Sequence, residues 1–301
     1  FSRLRGLLQG ILTRFSAIAQ SALYLQDLFD FLAINPNITS GKDAIVPPAT
    51  FKEGFEFQGV GFRYPNSRKY AVRNLSFTLK AGEKLALVGE NGAGKTTLVK
   101  LLGRMYDPDE GRILLDGVDI REYDLAAYRK RIGVIFQDYV RYQMNVSENI
   151  AVGQIDQLED QARIRHAAEK SLAEPVIKGL PGQYGQMLGK KFEDGVELSG
   201  GQWQKIALGR AYMREAELLI LDEPTAALDA RAEYEVFQRF SDLTQNKTAV
   251  LISHRFSTVR MADRILVLEN GQMLELGTHE ELLRQDGTYA ELFNLQAEGY
   301  R

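Results

Sequence analysis

The chain has 301 residues, enough to bury a sizeable core as one large domain or one and a half. Its 45% apolar and 26% charged content with 8 prolines excludes a disordered chain. A balance of 37 Lys and Arg against 40 Asp and Glu, net −3, excludes an overall basic field for nucleic acid, and the absence of cysteine excludes disulfides and thiolate metal sites.

In chain order, apolar residues recur at helical spacing from Leu4 to Leu32, with Arg5, Gln9, Arg14, Gln20 and Asp27 between them, which predicts one amphipathic helix over 1–34. Polar interruptions leave no apolar run of roughly 18 residues, so the helix is not a complete membrane span and could be the cytoplasmic end of one, the end of a removed transmembrane domain, or else a bundle face or an interface helix. Opening on Phe1, with no signal-peptide pattern, the chain reads as cut from something longer. Asn35-Pro36-Asn37 through Pro47-Pro48 predicts a linker over 35–54. Short β-like runs follow at Phe55 to Tyr64, Val72 to Lys80 and Lys84 to Val88, then a helix from Gly94 to Arg104 and a strand from Arg131 to Gln137. A helix-rich middle runs from about Val146 to Met213. Thereafter Leu218 to Asp222, Ala230 to Leu243, Thr248 to His254 and Arg264 to Glu269 alternate strand with helix, the pattern of a largely parallel α/β sheet.

Three segments carry chemistry. Gly89-Glu-Asn-Gly-Ala-Gly94-Lys95-Thr96 fits the phosphate-loop pattern and stands where that loop must, after the apolar run Leu85 to Val88 and before a helix. Glycines let backbone N–H groups point at phosphate oxygens, the helix start adds its positive dipole end, Lys95 reaches the terminal phosphates and the Thr96 hydroxyl can ligate Mg²⁺. Leu218-Leu-Ile-Leu221-Asp222-Glu223-Pro224 is a buried-type strand ending in two acids. Such a pair often merely opens a helix; beside a phosphate loop, Asp222 would hold Mg²⁺ and Glu223 would orient or deprotonate an attacking water. Leu198-Ser199-Gly200-Gly201-Gln202 opens a further helix, and its exposed backbone donors make a second anion site, best used on a partner's nucleotide.

In this order, "GENGAGKTT", "LSGGQ", "LLILDEPTAALD" and "LISHR" resemble the nucleotide-binding domain of an ATP-binding cassette transporter over Phe55 to Leu295, and the preceding helix and linker with "GTHEELLRQDGTYAELFNLQ" at the end resemble the exporter half-transporter type. The resemblance implies a P-loop NTPase core with a mostly parallel sheet, an antiparallel β subdomain and an inserted α-helical subdomain at about 138–214, the nucleotide-binding domain as a whole spanning 55–298. It implies ATP and Mg²⁺ as cofactors, with nucleotide contacts from Tyr64, Val72, Gly89, Asn91, Gly92, Ala93, Gly94, Lys95, Thr96 and Thr97. Tyr64, which could instead be a packing residue, corresponds to the aromatic side chain that stacks on adenine. Gln137 corresponds to the glutamine that touches Mg²⁺ and the attacking water and senses the membrane partner. Ser199, Gly200, Gly201 and Gln202 would contact the γ-phosphate held by the opposite domain, Asp229 closes a loop that crosses the interface, and His254 would bond the γ-phosphate and hold Glu223 in line.

The implied partners are a second such domain and a transmembrane domain, at the cytoplasmic face of the plasma (inner) membrane, with no nucleic acid. The rival reading, a soluble ATPase of DNA repair or chromosome maintenance, would need a long coiled coil between phosphate loop and signature, whereas Lys95 and Ser199 are only 104 positions apart. This sequence departs from the exporter pattern at Trp203, where Arg is usual, at Gly209, where Ala is common, and in "LGKKFEDGVE", where Glu193 is the nearest counterpart of the usual acidic contact. His166 reads as solvated, and His279 as part of a helix start capped by Thr278 and Glu281.

Overall fold

Along Val72–Lys80 buried residues alternate with exposed ones (Val72, Leu75, Phe77 and Leu79 inward), as a strand with one wet face requires, whereas Leu218–Asp222 and Thr248–Ile252 are buried throughout, as a strand covered on both faces requires. These two patterns belong to two sheets in a computed structural model that describes residues 1–136, 138–222, 238–239, 241–253 and 255–298. Strands β1 (Gly54–Phe62), β2 (Val72–Lys80), β4 (Glu110–Leu115) and β5 (Val118–Asp119) form an antiparallel sheet in the order β2-β1-β4-β5. The second sheet runs β10-β9-β3-β8-β7-β6, from β10 (Gln272–Gly277), β9 (Arg264–Glu269), β3 (Lys84–Val88), β8 (Thr248–Ile252), β7 (Leu218–Asp222) and β6 (Ile132–Ile135). All its pairs are parallel except β10 with β9. The α/β class with a mostly parallel sheet and an antiparallel β portion is the one the sequence predicts.

One apolar cluster joins the two sheets: Phe55, Phe57 and Phe77 of the antiparallel sheet share it with Leu85, Leu87 and Val250 of the parallel one and with Leu98 and Leu101 of helix α2 (Lys95–Leu102). Phe57 and Phe77 stack with centroids 4.3 Å apart, a cross-strand aromatic pair on the buried face. Helix α3 (Leu125–Lys130), capped by Asp124 accepting from the Ala127 N–H, carries Tyr128 into the same core.

Helices α4 (Val146–Ala151), α5 (Gln161–Lys170), α6 (Glu174–Lys178) and α7 (Gly200–Met213) surround a separate cluster that includes Ile150, Ile164, Ile177 and Ile206. Trp203 lies fully buried at its centre and its indole N–H donates to Glu197 Oε1 at 3.1 Å, so the residue that stands in place of the usual arginine fills the core of the helical region. Trp203→Ala is expected to cost about 3–5 kcal/mol by emptying that volume. Chemical denaturation would show this as a lowered midpoint, and an unchanged midpoint would contradict it. At Gly209 a Cβ would sit 3.3 Å from Ser171 Oγ and 3.4 Å from an Ile150 side-chain carbon, so the glycine lets α7 lie close against its neighbours.

The chain divides into two compact units, Phe1–Thr39 and Ser40–Arg301. The first contains α1 (Ser2–Leu32), 31 residues with none buried and its apolar side chains exposed. No helix among the described residues is long and apolar enough to cross a membrane. The second unit begins at Ser40 rather than at Phe55. Ser40 Oγ bonds Asp124 Oδ2 at 3.0 Å, Ile45 bridges to Tyr123, Phe51 is buried, and the backbone N–H groups of Lys52, Glu53 and Gly54 donate to Asp116, so much of the stretch expected to be linker is tied down. Thr278 and Glu281 make the expected capping box, His279 Nδ1 lies 2.7 Å from the Tyr289 hydroxyl, and His166 is exposed. The expected helix Ala230–Leu243 lies mostly outside the described residues.

Candidate nucleotide site

Strands β3, β6, β7 and β8 are parallel, so their carboxyl ends share one edge of the sheet, the edge at which open α/β sheets hold ligands. The glycine loop follows β3, Asp222 ends β7, Ser253 follows β8 and Phe136 follows β6. The topology thereby gathers at one edge segments that are far apart in sequence.

Loop shape depends on glycine at particular places. Gly89 has φ 148° and a Cβ there would fall 2.2 Å from the Leu268 carbonyl oxygen; Gly94, which caps α2 with φ 107°, would meet the Ala71 carbonyl oxygen at 2.8 Å and Val72 Cγ1 at 2.9 Å. Any other residue would force the loop off the strand-to-helix path. Val72, fully buried, is thus the wall against which Gly94 turns. Ala93 is buried, and its carbonyl accepts from the Gly271 N–H at 3.1 Å. A cavity of about 510 Å³ opens beside the loop, bordered by Gly89, Glu90, Asn91, Ser253 and Leu292, so the first half of the loop faces space and not packed chain.

Lys95 is 6% exposed, and its ammonium donates to the Gly89 carbonyl at 2.6 Å and the Glu90 carbonyl at 2.9 Å, lying back along its own loop. The Thr96 hydroxyl donates to Asp222 Oδ2 at 3.3 Å, across 126 positions of sequence, with Asp222 only 6% exposed. A hydroxyl and a carboxylate from two elements, with a lysine on the neighbouring residue, form a hard-oxygen pair suited to Mg²⁺ beside a cation suited to phosphate. Among the described residues no group of three His, Cys, Asp or Glu could hold a metal, and at this site those residues offer a cation the Thr96 hydroxyl and the Asp222 carboxylate.

Tyr64 is partly buried, and its hydroxyl pairs with Thr97 Oγ1 at 3.1 Å. Its ring meets Phe62 and Tyr106 edge-on at 5.1 Å and 5.4 Å, with Lys100 Nζ 5.3 Å from its centroid. Tyr64 therefore sits on the first turns of α2, beside the loop.

At the start of α7, Ser199 is the N-cap: its Oγ accepts from the Gln202 N–H at 3.4 Å while Gln202 Oε1 accepts from the Ser199 N–H at 2.9 Å. As first helical residues, Gly200 and Gly201 have N–H groups with no acceptor in the helix itself. Among the described residues a Cβ at Gly200 would meet nothing within 4 Å, so none of them demands glycine there. Gln137, Glu223, Asp229 and His254 lie outside the described residues.

Two residues at this edge carry no motif. Tyr139 donates its hydroxyl to the Gly200 carbonyl at 2.9 Å, and Arg210 of α7 donates to the Val140 carbonyl at 2.7 Å and the Asn149 carbonyl at 2.8 Å. Neither stands in a recognisable pattern, and each reaches its partner across 61 positions or more, so no local sequence signal marks them.

Fold and loop together define a P-loop nucleotide-binding domain. The sequence pattern of the ABC transporter family matches residues 72–226, about half of the chain, and the chain belongs to that family. It is 41% identical over 285 residues to the subtilin transport ATP-binding protein SpaT of Bacillus subtilis, covering 94% of this chain and 46% of that protein. It is 40% identical over 281 residues to the ATP-dependent lipid A-core flippase of Chromohalobacter salexigens, covering 93% and 47%. Among solved structures, a bacterial Atm1-family ABC exporter with ATP bound superposes with TM-score 0.84 at 34% identity, over 93% of this chain and 48% of that one. The chain spans about half the length of the curated relatives it matches.

Proposed function

We propose that the chain is the ATP-hydrolysing motor of an ABC exporter, pairing head-to-tail with a second such domain around two MgATP and working with a transmembrane domain. The observation that carries the reading is the meeting of Lys95, Thr96 and Asp222 under the glycine loop, at the sheet edge where β6 and β8 also end. Family membership and exporter relatives support it, and they give no support to a DNA-repair ATPase.

In this reading the loop N–H groups and Lys95 bind the β- and γ-phosphates, and Thr96, Asp222 and Gln137 hold Mg²⁺, which would neutralise charge on the phosphate oxygens. Tyr64 offers a ring to adenine. Glu223 orients the attacking water and accepts its proton, held in line by His254. Ser199 and the N–H groups of Gly200 and Gly201 close on the γ-phosphate bound to the partner, where Asp229 also crosses. That none of the described residues of its own chain requires glycine at 200 supports an approach by something outside it. The exposed apolar helix α1 supports reading it as the cytoplasmic end of the last membrane helix, with the motor on the cytoplasmic side.

If each site is completed by a second copy, phosphate release per chain will rise with chain concentration before levelling off, and will stop when Mg²⁺ is chelated. Turnover per chain that does not vary with concentration would rule out the shared site. No phosphate release at any concentration would remove the motor reading altogether.

A further inference from the structure

The segment Tyr139–Asn149 is fastened along α7 at both of its ends. Arg210 holds both ends, bonding the Val140 carbonyl at one and the Asn149 carbonyl and Asn149 Oδ1 at the other, with its guanidinium 4.9 Å from the centroid of the Tyr142 ring. Asn149 Nδ2 in turn donates to the Tyr142, Met144 and Asn145 carbonyls, at 3.1 Å each. These bonds make a dense polar lock around the buried Asn149, and its removal would unsettle the helical region as a whole.

A different bond reaches the start of α7: the Tyr139 hydroxyl donates to the Gly200 carbonyl at 2.9 Å. Gly200 opens α7, and its carbonyl belongs to the same first turn whose N–H groups point out of the helix. Because the peptide plane is rigid, fixing the Gly200 carbonyl also fixes the direction of the Gly201 N–H joined to it. Glycine at 200 and 201 leaves this turn with little side-chain packing of its own, so an external tie has more to do here than at an ordinary helix start. Tyr139 is anchored for the purpose, its ring packing against the apolar cluster of the helical region.

We propose that Tyr139 is a positioning residue that pre-orients the Ser199–Gly201 turn for the phosphate of the partner's nucleotide. This rests on the two-sided site described under Proposed function. Since Tyr139 lies two residues after Gln137, the same bond makes displacement of that segment a displacement of the helix start. The nucleotide loop of its own chain does not depend on the tie. Losing it leaves first-site ATP binding intact and makes closure of the pair more costly in order.

Tyr139→Phe tests this, since it keeps the ring and deletes only the donor. Half-saturating ATP for turnover is expected to rise roughly fivefold, the effect of one partly buried hydrogen bond, with kcat within about twofold of the parent. Binding of a fluorescent ATP analogue to the dilute, unpaired chain should be unchanged, as should the unfolding midpoint to within a few degrees. A residue of merely structural weight would lower the midpoint and leave the ATP dependence where it was, and that result would overturn the proposal. Unchanged KM and kcat in a parent chain that does turn over would also overturn it, while a parent chain with no turnover would refute the motor reading instead.

Discussion

Lys95→Ala is expected to lower ATP turnover by about a hundredfold or more and to weaken nucleotide binding with it. The size follows from what the side chain does in the fold and in the reaction. Its ammonium is almost wholly buried and donates to the Gly89 and Glu90 carbonyls, bracing a loop whose Gly89, Gly92 and Gly94 all have positive φ. Alanine leaves those carbonyls without this donor, so the loop loses an internal tie as well as its cation. In phosphoryl transfer the rate comes mostly from positioning and charge stabilisation, and deleting one well-placed donor commonly costs about a hundred- to a thousandfold. The checks are a phosphate-release assay and a titration with a fluorescent ATP analogue. Turnover within about threefold of the parent would show that the loop's backbone alone carries the phosphates.

Glu223→Gln should separate binding from chemistry. Glu223 follows Asp222 directly in sequence, and Asp222 ends a strand buried along its whole length, at the ligand edge of the sheet. Glutamine preserves size and hydrogen bonding but cannot take a proton from water. Binding is expected to stay within about twofold while turnover falls by about a hundredfold or more. Near-parent turnover in this variant would move the role of water activation to another group.

Much of the frame is legible in the sequence because its signals are local. The alternation in Val72–Lys80 and the unbroken apolar run Leu218 to Leu221 each report burial directly, and both strands occur where the pattern puts them. The helix at Gly200 is equally legible, since Ser199 and Gln202 form a capping box that reads from four letters. Boundaries are less so. The run expected to reach Tyr64 stops at Phe62, after which Ser67 turns back to bond the Tyr64 carbonyl, and the strand expected over Arg131 to Gln137 is Ile132–Ile135.

Three features have no local signal. Strand β4 has three exposed residues followed by three buried ones, because only its second half lies under the helix-covered core, and that sequence shows no alternation. Strand β10 is an edge strand whose Met273 and Leu274 are exposed, so hydropathy cannot distinguish it from a loop. Segment 40–53 looks like a linker by composition, yet its side chains and backbone bond to Asp116, Tyr123 and Asp124 far down the chain. The site divides in the same way. The residues that meet phosphate are marked by motif, whereas the Thr96–Asp222 distance and the Tyr139–Gly200 tie exist only once β3, β7 and α7 have been brought together.

The mass in solution of the Glu223→Gln chain with and without MgATP is the most direct test of a nucleotide shared between two chains. Two chains per particle with MgATP and one without it, the larger species failing to form when Lys95→Ala is added, is the expected result. A single chain per particle at saturating MgATP, with nucleotide demonstrably bound, would contradict it.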